Sequence, residues 1–288
     1  MKHRAQWKST LEIYATLAIG ALSVATIDTG SVLKIIEPIW RTKPETASRV
    51  RGRIESVLNW AIARGFRQGD NPARWKGHLD KLLPARGKVR TVKHHAALPF
   101  DELPIFMTNL RSCQGSGARA LELTILTGLR TGEVIGACWR EFNLRGKLWI
   151  VPAERMKAKR EHRVPLSDYV VELLAALPQT SNFLFPGERD GKPLSNMAML
   201  QTLNRLGRSD VTVHGFRSTL RDWAAERTNF PNHVVEMALA HTIGNKVEAA
   251  YRRGDLFEKR VRLMDAWAEF ATKAPKVGQV IKLQTDAA

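Results

Sequence analysis

The sequence predicts a mainly α-helical protein of two domains, the second of which carries a small antiparallel sheet. Three observations support this prediction. Apolar residues recur at helical spacing, most clearly along residues 44–61. A basic stretch that begins and ends with proline, residues 84–99, interrupts the pattern. Residues 147–166 then change to the composition of a β-hairpin. We therefore expect a helical domain at 1–88, a linker at 89–98 and a mainly α (α+β) domain at 99–288.

The first domain is predicted to consist of helices. Residues 7–18 have a weak helical period that Gly20 ends, and Ser31 is a candidate N-cap for a short helix that Pro38 ends or kinks. The clearest helix has Pro44 and Glu45 in its first turn. Its predicted apolar face consists of Val50, Ile54, Val57, Leu58 and Ala61. The tryptophans predicted to pack in the core are Trp40, Trp60 and Trp75.

The charge balance favours nucleic acid as a partner. The chain has 45 Lys and Arg against 28 Asp and Glu, a net charge of +17, with 18 against 7 in residues 1–95. With 44% hydrophobic residues, this composition is that of a folded basic protein. The first half of the clearest helix carries three arginines: Arg49, Arg51 and Arg53. These arginines are predicted to contact DNA phosphates. The alternative is an ordinary solvated basic face.

Other classes of protein find little support in the sequence. Cys113 and Cys138 form neither a disulfide framework nor a zinc-binding spacing. No apolar run approaches the ~20 residues of a membrane span, and the N-terminus lacks a signal-peptide pattern. We expect a cytoplasmic protein without a membrane partner, a metal or another cofactor.

The second domain is predicted to contain several helices and two turns, each of which carries a basic residue. Arg130 lies in a turn between Gly128 and Gly132, where Glu133 could orient it. Lys157 lies at the tip of the predicted hairpin, whose alternative interpretation is an ordinary basic turn. The predicted helices are residues 101–110, 118–127, 168–177, 195–208 and an apolar stripe at 263–271. That stripe either packs on its own domain or docks on a neighbouring protomer.

A third group of residues points to phosphoryl-transfer chemistry. His214 and Arg217 are three residues apart and would share one helix face, and His241 and Tyr251 follow. Attack on a phosphodiester needs a nucleophile, cations and proton-transfer groups, which tyrosine, arginine and histidine supply. Taken singly, each of these residues would more often be a packed helix residue. The hypothesis therefore depends on the complete set.

The complete set resembles the signature of the tyrosine recombinases, or phage integrase family. The TGLRTGE segment is similar to the family's first box and places its arginine at Arg130. The family's hairpin lysine precedes the proline of a VPL element by eight residues, which favours Lys157 over Lys159. HGFR matches through His214 and Arg217. The remaining matches are His241 of LAH and, ten residues on, Tyr251.

The resemblance extends over nearly the whole chain and implies a mechanism. Residues 1–88 are similar to the core-binding domain of prophage and genomic-island integrases. Tyr251 is then the nucleophile that forms a 3′-phosphotyrosyl intermediate in DNA. The implied roles of the others are phosphate binding by Arg130, Arg217 and His241, proton donation by Lys157 and proton acceptance by His214. Members usually begin with an arm-binding domain, whereas this sequence starts almost at the core-binding helices, so binding to arm-type sites is in doubt.

The implied partners are double-stranded DNA core (attachment) sites, three further protomers in a homotetramer on DNA, and accessory DNA-bending or directionality factors. Integration or excision of a mobile element is the expected outcome. Two alternatives remain: a type IB topoisomerase with the same chemistry, and a catalytically inactive DNA-binding regulator. A metallonuclease built on His214, His233 and His241 lacks accompanying carboxylates at ligand spacing.

Overall fold

The protein is mostly helical with one small antiparallel sheet, which confirms the predicted fold class. The computed structural model describes residues 2–89, 95–241 and 254–273. The chain divides into two compact units, residues 1–94 and 95–288. None of the helices described has the length and apolar content that crossing a bilayer requires.

The core of the N-terminal unit forms mainly where its third and fourth helices pack together. Buried side chains such as Val32 and Ile36 pack there with Val50 and Ile54. The predicted cap is wrong: Asp28 is the N-cap of the third helix, and Ser31 donates its backbone N–H to the Asp28 carboxylate at 2.8 Å. Within residues 2–89 the helices are α1 (Lys2–Tyr14), α2 (Thr16–Ile19), α3 (Thr29–Trp40), α4 (Pro44–Ala63) and α5 (Arg86–Val89).

The buried face of α4 is narrower than its periodicity predicts. Val57 is 40% exposed and lines an apolar groove beside α2. Trp60 is 56% exposed, which contradicts the predicted core position, and its ring contacts Phe66 at 5.7 Å between centroids. Periodicity gives the direction of a side chain along a helix, but not whether a neighbouring element covers that direction.

The C-terminal unit buries one face of its small sheet in a core formed with its helices. The strands have the order β1-β2-β3 and are antiparallel, with Trp149 of β2 opposite Val164 of β3. The predicted hairpin is β2 and β3, and β1 is a strand that the sequence pattern did not predict. The strands are β1 (Phe142–Asn143), β2 (Leu148–Val151) and β3 (His162–Pro165). The described helices are α6 (Leu103–Ser112), α7 (Ser116–Thr127), α8 (Thr131–Ile135), α9 (Asp168–Ala175), α10 (Ala198–Arg205), α11 (Phe216–Arg227), α12 (Asn232–Ala238) and α13 (Phe257–Thr272).

Helix α7 runs through the core and ends where the predicted site begins. Every residue from Ala120 to Thr127 is buried. The helix ends at Gly128, whose φ of 64° lies in the left-handed region that glycine adopts without strain. This turn redirects the chain so that Arg130 becomes the N-cap residue of α8.

The C-terminal apolar stripe packs on its own unit. Leu263, Met264, Trp267 and Ala271 of α13 are all buried, and the Trp267 indole N–H donates to the Ile125 carbonyl at 2.8 Å. The hypothesis that this stripe docks on a neighbouring protomer is therefore wrong for these four side chains. Their apolar surface is already removed from water within the unit.

Candidate active site

Arg130 is held in place by a buried carboxylate. Glu133, which is 2% exposed, accepts the Arg130 backbone N–H on one oxygen at 2.8 Å and the Arg130 Nη1 on the other at 2.9 Å. The Arg130 Nη2 donates to the Ala240 carbonyl at 3.4 Å. One acidic side chain thus fixes both the main chain and the guanidinium of Arg130 at the start of α8.

Arg217 joins the turn before α8 to the end of α12. It lies in the first turn of α11, is 4% exposed, and donates through Nη1 to the Gly128 carbonyl and through Nη2 to the Leu239 carbonyl. Its Nε is buried without a hydrogen-bond partner among the described residues. Burial, followed by repulsion from Arg130, lowers the pKa of Arg217 to about 10. The guanidinium nevertheless stays charged at neutral pH.

His241 bridges Arg217 and a second carboxylate. Its Nδ1 lies 2.7 Å from a Glu236 carboxylate oxygen, and its Nε2 lies 2.8 Å from the Arg217 Nη2. A guanidinium only donates hydrogen bonds, so Nε2 accepts and the ring proton lies on Nδ1, where it is donated to Glu236. Both ring nitrogens are therefore engaged, and His241 offers neither of them to a metal ion.

His214 lies beside this cluster with its side chain exposed. Its ring forms an edge contact with the ring of His95, with 4.6 Å between centroids. Partial desolvation, followed by the charge of Arg217, lowers the pKa of His214. A larger fraction of its rings is therefore neutral near pH 7 than in an unperturbed histidine, and a neutral imidazole can accept a proton.

The segment that begins the C-terminal unit is bonded to the HGFR motif. Thr212 donates its backbone N–H to the Ala96 carbonyl at 3.0 Å, and the Thr219 hydroxyl donates to the Leu98 carbonyl at 2.7 Å. Gly215 passes so close that an added Cβ would lie 2.0 Å from the Ala96 oxygen. Only glycine fits this approach between two backbone segments.

Gly215→Ala should therefore lower the free energy of unfolding by about 1–3 kcal/mol, because either the Ala96 segment or the motif must move. Urea unfolding monitored by tryptophan fluorescence would measure the change. Gly132→Ala is the matched control, since nothing lies within 4 Å of a Cβ added there. Equal stability of the two variants would contradict the predicted clash.

Lys157 lies in the connection between β2 and β3, and its side chain is exposed. Among the described residues, no hydrogen bond or ion pair engages its ammonium group. Lys159, the alternative candidate, is also exposed and has a φ of 54°. The choice of Lys157 over Lys159 stays a prediction.

The fold thus brings four of the six predicted site residues together. Arg217 bonds directly to His241, and Arg130 donates to the carbonyl of Ala240, the residue before His241. His214 interacts electrostatically with all three. Such a cluster of donors and positive charge suits an oxyanion. Lys157 makes no hydrogen bond or ion pair with these four. The sixth residue, Tyr251, lies outside the described residues.

Two family models match this chain, one in each of its two units. Residues 97–256 match the family model described as Phage integrase family, and residues 1–78 match Phage integrase central domain. The chain belongs to the phage integrase family. The family match includes all six of the predicted site residues.

Relatives of this chain include prophage integrases of Escherichia coli K12. Prophage integrase IntZ is 34% identical to this chain over 92% of the chain and 65% of the relative, and prophage integrase IntA is 31% identical over 96% and 66%. The integrase of Enterobacteria phage P4 is 28% identical over 93% of this chain. The chain thus spans about two thirds of the length of these relatives.

Solved structures of two integrases have the same fold. A dimer of lambda integrase (75–356) bound to a core site has a TM-score of 0.64 at 17% identity, covering 88% of this chain and 89% of that one. The Tn1549 transposon integrase in complex with a circular intermediate DNA has a TM-score of 0.63 at 12% identity, covering 88% and 94%.

The three arginines predicted to bind DNA differ in exposure and in the hydrogen bonds that their guanidinium groups already make. Arg53 is 7% exposed and donates to the Gln6 carbonyl at 2.9 Å. Arg51 is half-buried and donates to Glu55 and to the Ala73 carbonyl, at 2.6 and 2.8 Å. Arg49 is exposed, and among the described residues it pairs only with the exposed Glu45. Arg51 and Arg53 thus stabilise the N-terminal unit, and phosphate contact by all three stays a prediction.

Sequence reasoning missed the residues that support the site. Glu236 precedes His241 by five residues and belongs to no motif, and His95 was assigned to the linker. Arg155 donates from the β2–β3 connection to the Glu133 carbonyl at 3.1 Å. A partly buried carboxylate or arginine in a polar stretch has no periodic signal, so only contacts in the fold identify it.

Proposed function

We propose that this protein is a site-specific DNA recombinase that cuts and rejoins DNA strands through a 3′-phosphotyrosyl intermediate. Family membership supports the class of reaction. The observation that carries the proposal is the convergence of Arg130, Arg217 and His241, with His214 beside them. These residues come from separate helices and loops, and together they suit one DNA phosphate.

In the proposed step, the Tyr251 phenol oxygen forms a bond to phosphorus and the bond from phosphorus to the 5′-oxygen breaks. Arg130 and Arg217 bind the non-bridging oxygens and stabilise the charge that develops on them. Glu133 keeps Arg130 oriented, and the Arg217 Nε is a donor that a phosphate oxygen would satisfy. The ester stores the bond energy, so rejoining is the reverse reaction.

Proton transfer accompanies both bond changes. His214 accepts the phenol proton, a role that its lowered pKa favours. Lys157 donates a proton to the departing 5′-oxygen, so that a hydroxyl leaves in place of an alkoxide. Once its Nε2 is released from Arg217 and carries a proton, His241 donates a hydrogen bond from that nitrogen to a phosphate oxygen. Each acid–base step of this kind typically contributes about 10²–10⁴-fold.

We propose double-stranded DNA core sites in the cytoplasm as the substrate, and a homotetramer as the active assembly. Lambda integrase supports both parts by analogy, since it has been solved as a dimer on a core site and as a tetramer on a Holliday junction. The basic N-terminal unit would bind the core site together with the catalytic unit, with residues 89–98 as the linker.

The proposal is tested with a pool of nicked duplexes of random flanking sequence. A nick close to the scissile phosphate lets the short 5′-hydroxyl fragment diffuse away, which traps the covalent complex. Complexes that survive detergent are enriched over several rounds, and the protein is digested for mass spectrometry. We expect a nucleotide adduct on the peptide containing Tyr251, formed equally well in EDTA.

Other outcomes would support the alternatives. Sequence-specific binding without an adduct from any duplex would indicate an inactive regulator. Relaxation of supercoiled DNA without exchange between two enriched sites would indicate a topoisomerase. An adduct that EDTA abolishes and magnesium restores would contradict metal-independent cleavage.

A further inference from the structure

The connection that carries Lys157 is so long that the sheet alone cannot fix the position of this lysine. Ten residues, 152–161, separate β2 from β3, whereas a tight hairpin needs only about 2–5. The strand ladder therefore fixes the two ends of the connection but leaves its middle to other contacts. The backbone helps locally, since Arg155 and Met156 donate their N–H groups to the Pro152 and Ala153 carbonyls.

Arg155 supplies polar side-chain contacts of this kind. Its side chain is only 20% exposed, and its Nη2 forms an ion pair with the Glu141 carboxylate, which is 8% exposed. The same carboxylate oxygen accepts the Trp149 indole N–H at 3.0 Å, so β2 contributes to the anchor. A charge-assisted pair in such a shielded position is stronger than an exposed one.

The other end of the Arg155 fork reaches the residue that orients Arg130. Arg155 Nη1 donates to the Glu133 carbonyl at 3.1 Å, while the Glu133 carboxylate holds Arg130. Glu133 is thus the common partner of two arginines from different parts of the chain. Lys157 follows Arg155 by two residues, so its Cα lies within about 7 Å of the Arg155 Cα.

We infer that Arg155 is a positioning residue for Lys157. By bonding the β2–β3 connection to Glu133 of α8, Arg155 keeps the lysine where it can meet the same phosphate as Arg130. This inference rests on the proposed function. The ion pair with Glu141 and the bond to Glu133 act as a clamp on the connection. Without the clamp, Lys157 would sample positions away from the 5′-oxygen, and a displacement of about 1 Å can cost 10²-fold in rate.

The test separates positioning of an acid from general support of the fold. A substrate with sulfur in place of the bridging 5′-oxygen leaves as a thiolate, which keeps the electron pair of the broken bond. An alkyl thiol has a pKa of about 8.5, far below that of an alcohol, so this leaving group needs no proton donor. A cleavage-rate defect caused by a change in Lys157 or in its position should therefore disappear with the sulfur substrate.

Arg155→Met removes the charge and the donors but keeps an extended side chain. We expect it to cleave the oxygen substrate about 10–10²-fold more slowly than wild type and the sulfur substrate at close to the wild-type rate. Lys157→Ala should give the same pattern with a larger loss on oxygen. Glu141→Gln, which weakens the clamp from the other side, should also be rescued by sulfur.

Arg119→Met is the matched control. Arg119 is 23% exposed and pairs with Glu122, which is 3% exposed, so the variant also loses a shielded ion pair in the same unit. Any rate loss in this variant should be equal on both substrates. An equal loss on both substrates for Arg155→Met and Glu141→Gln, alongside rescue of Lys157→Ala, would overturn the inference while the proposed function stands. Failure of the wild-type protein to cleave either substrate would refute the proposed function itself.

Discussion

Tyr251→Phe should abolish the covalent DNA adduct and leave DNA binding intact. Phenylalanine keeps the ring but removes the oxygen that attacks phosphorus. Loss of an enzyme's nucleophile typically costs on the order of 10⁶ in rate, which places the remaining activity below detection in a gel assay. The adduct would be measured by denaturing electrophoresis on the enriched nicked substrate, and binding by native electrophoresis on the same duplex.

Tyr169→Phe is the control for this experiment. The chain has three tyrosines, and the Tyr169 ring lies under the Arg111 guanidinium, 5.9 Å from its centroid, on α9. Its change to phenylalanine keeps that contact and should leave the adduct yield unchanged. If Tyr251→Phe still formed an adduct, the nucleophile would have to be reassigned to another residue.

Arg217→Lys should slow adduct formation by about 10²–10³-fold although the positive charge is kept. The guanidinium spans the Gly128 carbonyl, the Leu239 carbonyl and His241, and a single ammonium cannot reach all three. The variant loses the planar set of donors, and His241 loses the hydrogen bond that its Nε2 accepts from Arg217. Single-turnover cleavage of the nicked substrate would give the rate.

The pKa of Arg217 predicts that its charge does not change across the neutral pH range. Burial lowers this pKa only to about 10, so the wild-type guanidinium stays protonated between about pH 6 and 8. The ratio of wild-type to Arg217→Met rates should therefore be constant over that range, because neither side chain changes its charge there. A ratio that changed tenfold across it would indicate a role in proton transfer for Arg217.

Arg227→Lys is a suitable control, because Arg227 ends the same helix and is 57% exposed in its pair with Asp101. Exposed ion pairs contribute little, so this variant should match wild type in rate and stability. Arg217→Lys should also unfold more easily, since a buried carbonyl left without a donor costs about 1–3 kcal/mol. A cleavage rate within threefold of wild type would contradict the assigned role of Arg217.

Much of this protein follows from local sequence. The Gly128 turn, the helix that Pro44 begins and the β2–β3 hairpin were all predictable, because each depends on residues close together in the chain. The order of the six predicted site residues also indicates the family. Motif residues carry such information because the chemistry restricts which residue types will serve.

The partners of those motif residues were not predictable in the same way. Glu236 holds His241, Arg155 reaches Glu133, and the Ala96 carbonyl accepts from Thr212 across 116 residues of chain. Ion pairs and close backbone approaches of this kind require only that two groups meet in space. Their spacing in the sequence is therefore arbitrary and carries no signal.

The basic helix α4 illustrates the difference. The local sequence predicts correctly that α4 is a helix with three arginines in its first half, because helical period and composition are local properties. The tertiary structure alone decided that Arg53 is buried against the Gln6 carbonyl and that Arg49 remains exposed. The physical reason is that a guanidinium meets the same donor requirements with a carbonyl, a carboxylate or a phosphate, and only the packing of neighbouring elements selects among them.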